Sequence, residues 1–480
     1  MNQILRRNLL WDYLNKFGNT VFSLITTSIL AHFLSPKDYG LVGISAAVNG
    51  IAGVFFNFGL SSAIIQAEKN ILDNKSLSTI FFFNQSIAFT LWFSIALCSG
   101  WIGRFYNMPE LSNILIITSL VFIINGASMV PSALLQKELQ FKKLSLISLA
   151  SNCLSGFVGI YLALTNHGVW SLVFQQLCNG VFLLIGYFLT TKWLPQLFFK
   201  IKTIYPMLKF GIFMFLSGMI DSIFSRLDVF IIGKVFTPEI LGQYTRAQGL
   251  DVQVRVLSAN SLMGVLFPSF VKMKHDVYAL KDLYTRFFEL VSFSFCFIGG
   301  IFYLAAYPLF RVMFGSQWNL SAGYFQILIM AGFAYPLSSL SLSLIEARGN
   351  SKSFFKAEVL KKILFLPTYY IAFKYGIEAY LFSYFVCCAI GTFINVFYLT
   401  KEIPVKLIST IQVLSKYFLS SVIFIVGCVL LQKTSTQFPE NNIWVCTLQV
   451  ALFVVAYLTF HILGKSKGPK YVLELLKRNK

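Results

Sequence analysis

Charged side chains inside apolar stretches are the residues of this sequence that could do chemistry. A charge deep in a bilayer costs several kcal/mol unless it faces a bundle interior or a watery cavity, so such residues indicate a functional site. The basic residues are Lys16, Arg226, Arg246 and Arg255. The acidic residues are Asp12, Asp221, Asp228 and Asp251. Ammonium and guanidinium groups bind phosphate oxygens, so the basic set predicts a cationic cavity for an anionic head group. The carboxylates could balance this charge or carry a coupling proton or sodium ion.

The spacing of these residues on their helices limits how they can combine. Asp251 and Arg255 stand four residues apart and are expected to pair, whereas Arg246 lies nearly opposite Arg255 around the helix. An alternative is that Asp251 and Arg255 form a purely structural ion pair. In that case Lys16 and Arg226 would extend to a membrane interface.

The other titratable residues of the apolar stretches are interpreted as structural. Arg286 and Glu289 are expected to pair at a helix end. The four histidines show no ligand spacing and receive no role. The eight cysteines all fall in apolar stretches without zinc-site spacing and are interpreted as core residues. The sequence therefore predicts no catalytic residue, no metal site and no cofactor.

The elements that must position the charged residues are apolar stretches of about twenty residues, the length that crosses a bilayer. With 56% hydrophobic and 12% charged residues, the 480-residue chain would aggregate as a soluble globule. We predict an all-α polytopic membrane protein of about 14 transmembrane helices, the first of them retained and not a signal peptide. The predicted spans are 10–34, 40–65, 79–102, 112–136, 144–165, 169–191, 208–233, 240–270, 287–310, 319–345, 355–373, 377–400, 413–432 and 443–463.

An internal repeat groups these spans. The stretch ILAHFLSPKDYG at 29–40 matches IIGKVFTPEILG at 231–242, and each copy joins two consecutive predicted spans in the same direction. This pattern predicts two six-helix lobes related by a parallel pseudo-repeat, with two further C-terminal helices. The predicted division is into residues 1–200, 201–402 and 403–480, and the last segment ends in a basic cytoplasmic tail.

The net charge of +20 is explained by topology and not by nucleic-acid binding. Most of the 39 Lys and Arg residues fall in the termini and even-numbered loops, and odd-numbered loops carry at most one each. Basic loops stay on the cytoplasmic side, so both termini are predicted to be cytoplasmic.

Several motifs carry a resemblance to a known family. They are LSP at 34–36 with Gly40, GLSSAIIQ at 59–66, VPSALLQKELQFKK at 130–143, GVWSLV at 168–173, RLD at 226–228 and FP at 267–268. Over roughly the first 270 residues the chain resembles the polysaccharide transporter (Wzx-type) family of lipid-linked oligosaccharide flippases. Members often have a proline near position 252, where this chain has Val252.

The resemblance implies a V-shaped two-lobed bundle of the multidrug, oligosaccharidyl-lipid and polysaccharide exporter superfamily. Its expected activity is to move a polyprenyl-pyrophosphate-linked glycan (an O-antigen, capsule or exopolysaccharide unit) across the bacterial inner membrane by alternating access. Expected partners are this lipid, membrane lipids and the polysaccharide polymerase with its chain-length machinery. The motif positions, Pro36, Gly40 and 130–143 above all, are expected to be architectural.

Two other function classes fit the sequence less well. A cation-coupled multidrug antiporter of the same superfamily shares the fold, but a site for cationic drugs should be acidic and aromatic, without four basic side chains. A membrane polysaccharide polymerase or ligase should have a sizeable periplasmic loop, and every odd-numbered loop is short. The sequence also contains no Asp-x-Asp motif of a glycosyltransferase and no phosphate-binding Gly-x-x-x-x-Gly-Lys loop.

Overall fold

A computed structural model describes residues 3–56, 60–66, 73–200, 222–434 and 443–478 of the chain. All regular secondary structure in these ranges is helical. Ten of their helical segments are long and apolar enough to cross a membrane. The prediction of an all-α polytopic membrane protein is confirmed.

The helices of the first half begin with α1 and end with α9. They are α1 Gln3–Phe33, α2 Pro36–Phe56, α3 Leu60–Gln66, α4 Asn74–Phe105, α5 Glu110–Thr118, α6 Val121–Lys137, α7 Phe141–Leu164, α8 Trp170–Thr191 and α9 222–235.

The helices of the second half run from α10 to α18. They are α10 Pro238–Lys272, α11 Val277–Phe314, α12 Asn319–Ala331, α13 Ala334–Ala347, α14 Ser351–Tyr375, α15 Ile377–Leu399, α16 Leu407–Thr434, α17 Ile443–Leu463 and α18 Lys467–Arg478.

Every predicted span overlaps one of these helices. In two of the ten membrane-crossing segments, two consecutive helices together form one span. These pairs are α5 with α6 and α12 with α13. The other four predicted spans overlap α1, α9, α10 and α14. Three of these, α1, α9 and α10, carry the intramembrane charges selected from the sequence, and α14 contains several lysines.

The chain divides into two compact units, residues 1–242 and 243–480, so the boundary falls within α10. The predicted division at residues 200 and 402 rests on the sequence repeat and stays a prediction.

The surface of both units is that of a membrane protein. Leu97 of α4 is 69% exposed and Trp444 of α17 is 82% exposed, as expected where lipid is the solvent. Hydroxyl groups within α4 bond to backbone carbonyls of the same helix: Ser86 donates to Phe82 at 2.8 Å and Thr90 to Ser86 at 2.9 Å. Such bonds keep polar side chains satisfied where water is absent.

The core of unit 1 contains the motif at 130–143. Val130 and Ala133 of α6 are fully buried against α3 and α4. Lys137 at the end of α6 donates to the Ile64 carbonyl in the last turn of α3 at 3.1 Å. An ammonium group there is favoured because it satisfies a terminal carbonyl at the negative end of the helix dipole. These contacts are structural.

The core of unit 2 shows that the expected Arg286–Glu289 pair is wrong. Arg286 instead pairs with Asp282, one turn earlier, at 3.1 Å on an exposed face of α11. Glu289 is buried and accepts a hydrogen bond of 3.0 Å from the Tyr417 hydroxyl. That hydroxyl also accepts from the Gly468 amide at 3.1 Å, so it links α11, α16 and α18.

A second buried polar group joins the C-terminal helices. His461 of α17 is fully buried, and its two ring nitrogens lie 2.9 Å from the Ser420 hydroxyl and 3.1 Å from the Ser466 hydroxyl. The rings of Phe293, Tyr417 and Tyr457 surround it. The histidine therefore ties α16 to the turn that precedes α18.

Candidate substrate-binding site

The two copies of the sequence repeat pack against each other inside unit 1. A Cβ atom added at Gly40 would lie 2.0 Å from the carbonyl oxygen of Pro238. One added at Gly242 would lie 1.7 Å from the carbonyl oxygen of Pro36. The contact is reciprocal, as expected for two similar hairpins related by an approximate two-fold axis.

From this contact α2 and α9 run side by side in opposite directions. Ile44 lies at Gly233, where an added Cβ would be 3.1 Å from the Ile44 side chain. Farther along, the Ser222 hydroxyl donates to the Gly50 carbonyl at 3.1 Å. The Nε atom of Arg226 would lie 3.1 Å from a Cβ added at Gly50. The absence of a side chain at Gly50 therefore leaves room for the Arg226 guanidinium.

Arg226 is an accessible cation within this helix pair. Its side chain is exposed, and among the residues that the structure describes no carboxylate forms an ion pair with it. Helical rise places it about 14 Å from the end of α9 at residue 235, a distance of about half the thickness of a hydrocarbon core of about 30 Å. Asp228, on the same helix, is buried. An accessible guanidinium at this depth is suited to binding an anionic group.

Three of the predicted site residues lie outside what the structure describes. Asp221 belongs to the undescribed stretch before α9, and the side chains of Asp12 and Lys16 on α1 are likewise outside the described part. Their predicted roles stay predictions.

Polar residues of α1 take part in a hydrogen-bonded ladder that the sequence interpretation missed. The Asn19 amide donates to Asn15 at 2.5 Å and to the Ser148 hydroxyl of α7 at 3.0 Å. Asn152 of α7 donates to Asn19, and Asn179 of α8 donates to Asn152 at 3.0 Å. Each of α7 and α8 contributes one such asparagine. A single asparagine in an otherwise apolar span is a weak sequence signal for a hydrogen bond between helices.

In unit 2 the predicted pairing of Asp251 with Arg255 is confirmed. The Arg255 Nη2 and Asp251 Oδ2 atoms are 2.6 Å apart, and the two side chains are 15% and 1% exposed. Gly332 lies against both side chains, since a Cβ added there would be 3.3 Å from Asp251 and 3.4 Å from Arg255. The Arg255 guanidinium also lies 5.7 Å from the centre of the Tyr335 ring. The pair is therefore enclosed, with the arginine as its more accessible member.

Arg246 lies in a different environment on the same helix. Its guanidinium carbon is 4.9 Å from the ring centre of Phe314 and 5.2 Å from that of Trp318. Such positions stabilise a cation through the electron-rich ring faces. Arg246 and Arg255 thus contact different helices, in agreement with their predicted positions on opposite sides of α10.

Within each unit, the described cations do not form one cluster. Unit 1 presents Arg226 beside α2, whereas unit 2 presents Arg255 paired with Asp251, and Arg246 between two aromatic rings. Chemically, the arrangement offers accessible guanidinium groups for phosphate oxygens and one buried carboxylate next to a cation.

Residues 29–322 match the model of a family described as polysaccharide biosynthesis protein. The chain belongs to this family. The resemblance to Wzx-type polysaccharide transporters is confirmed, as is the expectation of a transporter.

Individual members of the polysaccharide biosynthesis protein family are similar at low identity. The chain is 26% identical over 357 residues to the lipopolysaccharide biosynthesis protein WzxC of Escherichia coli (strain K12), covering 72% of this chain and 70% of that protein. It is 26% identical over 315 residues to the succinoglycan biosynthesis transport protein ExoT of Rhizobium meliloti (strain 1021), covering 65% and 63%.

Among solved structures, the fold is similar to that of the lipid II flippase MurJ in its inward closed conformation. The TM-score is 0.72 at 16% identity, over 95% of this chain and 99% of that one. The two proteins therefore share the same fold.

Proposed function

We propose that this protein moves a lipid-linked oligosaccharide, a glycan unit on polyprenyl pyrophosphate, across the bacterial inner membrane by alternating access. The observation that carries the proposal is Arg226, an exposed guanidinium about 14 Å from the end of α9 in a chain of this family. A lipid that changes leaflet must bring its phosphates past this depth, and a fixed cation lowers the cost of that step. One relative is named for lipopolysaccharide biosynthesis and another for transport in succinoglycan biosynthesis, and both names support the choice of cargo.

Arg255 is the second proposed phosphate-binding group. Asp251 holds its guanidinium in place, and part of the arginine remains accessible. Lys16 and Arg246 complete the proposed cationic set. Guanidinium groups bind phosphate oxygens through two parallel hydrogen bonds, so they suit a pyrophosphate better than a point charge does.

The carboxylates are proposed to balance these cations when the substrate is absent. Asp251 is the best placed of them. It is buried beside Arg255, so it loses its ion-pair partner when another anion draws the arginine away. Asp12, Asp221 and Asp228 would serve the same purpose or bind a coupling proton or sodium ion.

Both termini are proposed to be cytoplasmic, since most basic residues fall in the termini and even-numbered loops. The hairpins that meet at Gly40 and Gly242 then lie on the periplasmic side. In alternating access, their contact would close that side and would have to loosen when the substrate leaves. A polymerase with its chain-length machinery would receive the translocated unit.

The first test is to delete the gene and locate the lipid-linked glycan units with a sugar-exposure probe on spheroplasts whose inner membrane is intact. Complete units that accumulate shielded in the cytoplasmic leaflet support translocation. Single units that reach the periplasmic face unpolymerised would overturn the proposal in favour of a polymerase. An unchanged glycan would also overturn it and direct the work to drug-efflux assays.

The second test uses variants that insert at normal levels. We expect Arg226→Ala and Arg255→Ala to abolish glycan display, and Arg226→Lys to retain part of it because a charge remains. Arg311→Ala, which removes an exposed cation at the end of α11, is the matched control and should display glycan normally. Normal display in both the Arg226→Ala and the Arg255→Ala strains would refute the cationic site.

A further inference from the structure

Unit 1 contains a long apolar groove on its surface. It is formed by one face of α2, including Ala52 and Phe55, one face of α4 from Leu91 to Phe105, and Phe230 of α9. We call it the α2–α4 groove. Its volume is about 520 Å³, and by helical rise it follows α4 for about 21 Å. A groove of this length and composition fits a hydrocarbon chain.

The groove begins beside the accessible cation of the proposed site. Phe230, which lines it, is one helical turn from Arg226 on α9. Gly50, against which the guanidinium lies, directly precedes Ile51, another lining residue on α2. A ligand with an anionic head and an apolar chain could therefore occupy both features at once.

The depth of Arg226 decides which lipid this is. A resident phospholipid keeps its phosphate at the membrane surface, whereas Arg226 lies about 14 Å along α9 from the end of that helix. Only a lipid in transit has its phosphate at this level. We infer that the α2–α4 groove binds the polyprenyl chain of the transported lipid while Arg226 binds its pyrophosphate. This inference rests on the proposed function and adds a location for the lipid chain.

The large exposed aromatics of the groove fit an isoprenoid chain. Trp101 is 69% exposed and Phe105 is 43% exposed, and both line the groove from α4. Flat rings pack well against the planar double bonds and methyl branches that repeat along a polyprenyl chain. The groove would keep the chain attached to the protein while the head group crosses the membrane.

Cys98 allows a direct binding test because it lines the groove and is exposed. The full-length protein, with its other seven cysteines replaced by serine, is labelled at Cys98 with a benzophenone maleimide and reconstituted in vesicles of phosphatidylethanolamine and phosphatidylglycerol. Tritiated polyprenyl pyrophosphate is the probe. The matched control carries the label at Leu97→Cys in a background that also lacks Cys98, since Leu97 is exposed on the same helix outside the groove.

We expect several-fold more tritium cross-linked at Cys98 than at the control position. Unlabelled polyprenyl pyrophosphate should compete, and uncharged polyprenol should compete poorly. Arg226→Gln should reduce cross-linking about tenfold, because hydrogen bonds to charged groups contribute strongly to affinity. Equal cross-linking at both positions, or no effect of Arg226→Gln, would overturn the inference.

A transport test separates this inference from the proposed function. Ser94→Phe places a ring in the groove, whereas Leu97→Phe places the same ring on the lipid-facing surface about one turn away. Flipping in the same vesicles should fall about tenfold for Ser94→Phe only. If the wild type flips and Ser94→Phe flips equally fast, the groove assignment is wrong and the function stands. If the wild type does not flip the lipid, the proposed function fails, and cross-linking still decides whether the groove binds it.

Discussion

Gly40 and Gly242 each pack on the backbone of the other's hairpin. A Cβ at either position would lie 2.0 Å or less from the carbonyl oxygen of a proline, Pro238 for Gly40 and Pro36 for Gly242. Backbone atoms cannot move away as the end of a flexible side chain can. The close approach of the two hairpins therefore requires glycine at both positions.

We predict that Gly40→Ala and Gly242→Ala each destabilise the protein by about 1–3 kcal/mol, the usual cost of overpacking, and reduce transport at least tenfold. Gly427→Ala in α16 is the control, since nothing lies within 4 Å of a Cβ added there. Melting of the purified protein in detergent and lipid flipping in vesicles measure the two effects. Wild-type melting of both hairpin variants would contradict this reading of the contact.

The sequence predicted the hairpins but not their contact. Hydropathy and the proline and glycine spacing are local properties, and they sufficed to locate the spans and the repeat. The approach of Gly40 to Pro238 depends on how distant segments pack, which one sequence does not reveal. The Asp251–Arg255 pair was predictable because both residues lie on one helix at a fixed spacing.

Sequence spacing did not predict the ion-pair partner of Arg286, because two acidic residues are within reach on the same helix. Arg286 has Asp282 four residues before it and Glu289 three residues after it, and the earlier acid is the better helical partner. Glu289 is buried and contacts Tyr417 of a distant helix. The α2–α4 groove and the ladder of Asn19, Asn152 and Asn179 join different helices, so they too needed the structure.

The Tyr417 hydroxyl is predicted to contribute to stability and not to transport. Tyr417→Phe removes its hydrogen bonds to Glu289 and to the Gly468 amide, leaving two buried polar groups unsatisfied. We expect a loss of about 1–3 kcal/mol in unfolding free energy. Tyr375→Phe, at a tyrosine that is 64% exposed, should melt like the wild type. A large loss of flipping per folded Tyr417→Phe molecule would show that this cluster takes part in transport.

Asp73 gives a prediction on pH. It caps α4, accepting from the Ser76 amide at 2.8 Å, and hydrogen bonding from Ser76 lowers the pKa of Asp73 below its ordinary value of 3.8. Because the folded pKa is the lower one, the contribution to stability is complete above pH 3.8 and is lost as the pH falls through the folded pKa. Melting curves recorded from pH 7 downward measure it.

Two variants isolate the role of the Asp73 charge. Asp73→Ala should lower stability near neutral pH and remove this pH dependence, because the cap is gone. Asp73→Asn should retain most of the cap and also lack the pH dependence, because an amide does not titrate in this range. Equal melting of Asp73→Ala and the wild type at pH 7 would show that the cap contributes nothing measurable.

The last prediction asks whether Arg255 serves the fold or the substrate. Arg255→Gln leaves the Asp251 carboxylate charged and buried without its partner, which should cost about 3–5 kcal/mol. The double variant Asp251→Asn with Arg255→Gln removes both charges, so it should regain most of that stability. Arg286→Gln is the control: it breaks an exposed pair with Asp282 at the same spacing and should cost about 0–1 kcal/mol.

Transport by the double variant then separates the two roles. If Arg255 binds the pyrophosphate, the double variant should melt nearly like the wild type and still flip lipid at least tenfold more slowly, because the guanidinium is missing. Melting in detergent and flipping in vesicles are measured on the same preparations. Wild-type flipping by a stable double variant would mean that the ion pair only holds α10 in place, and Arg226 would then be the better candidate for the phosphate.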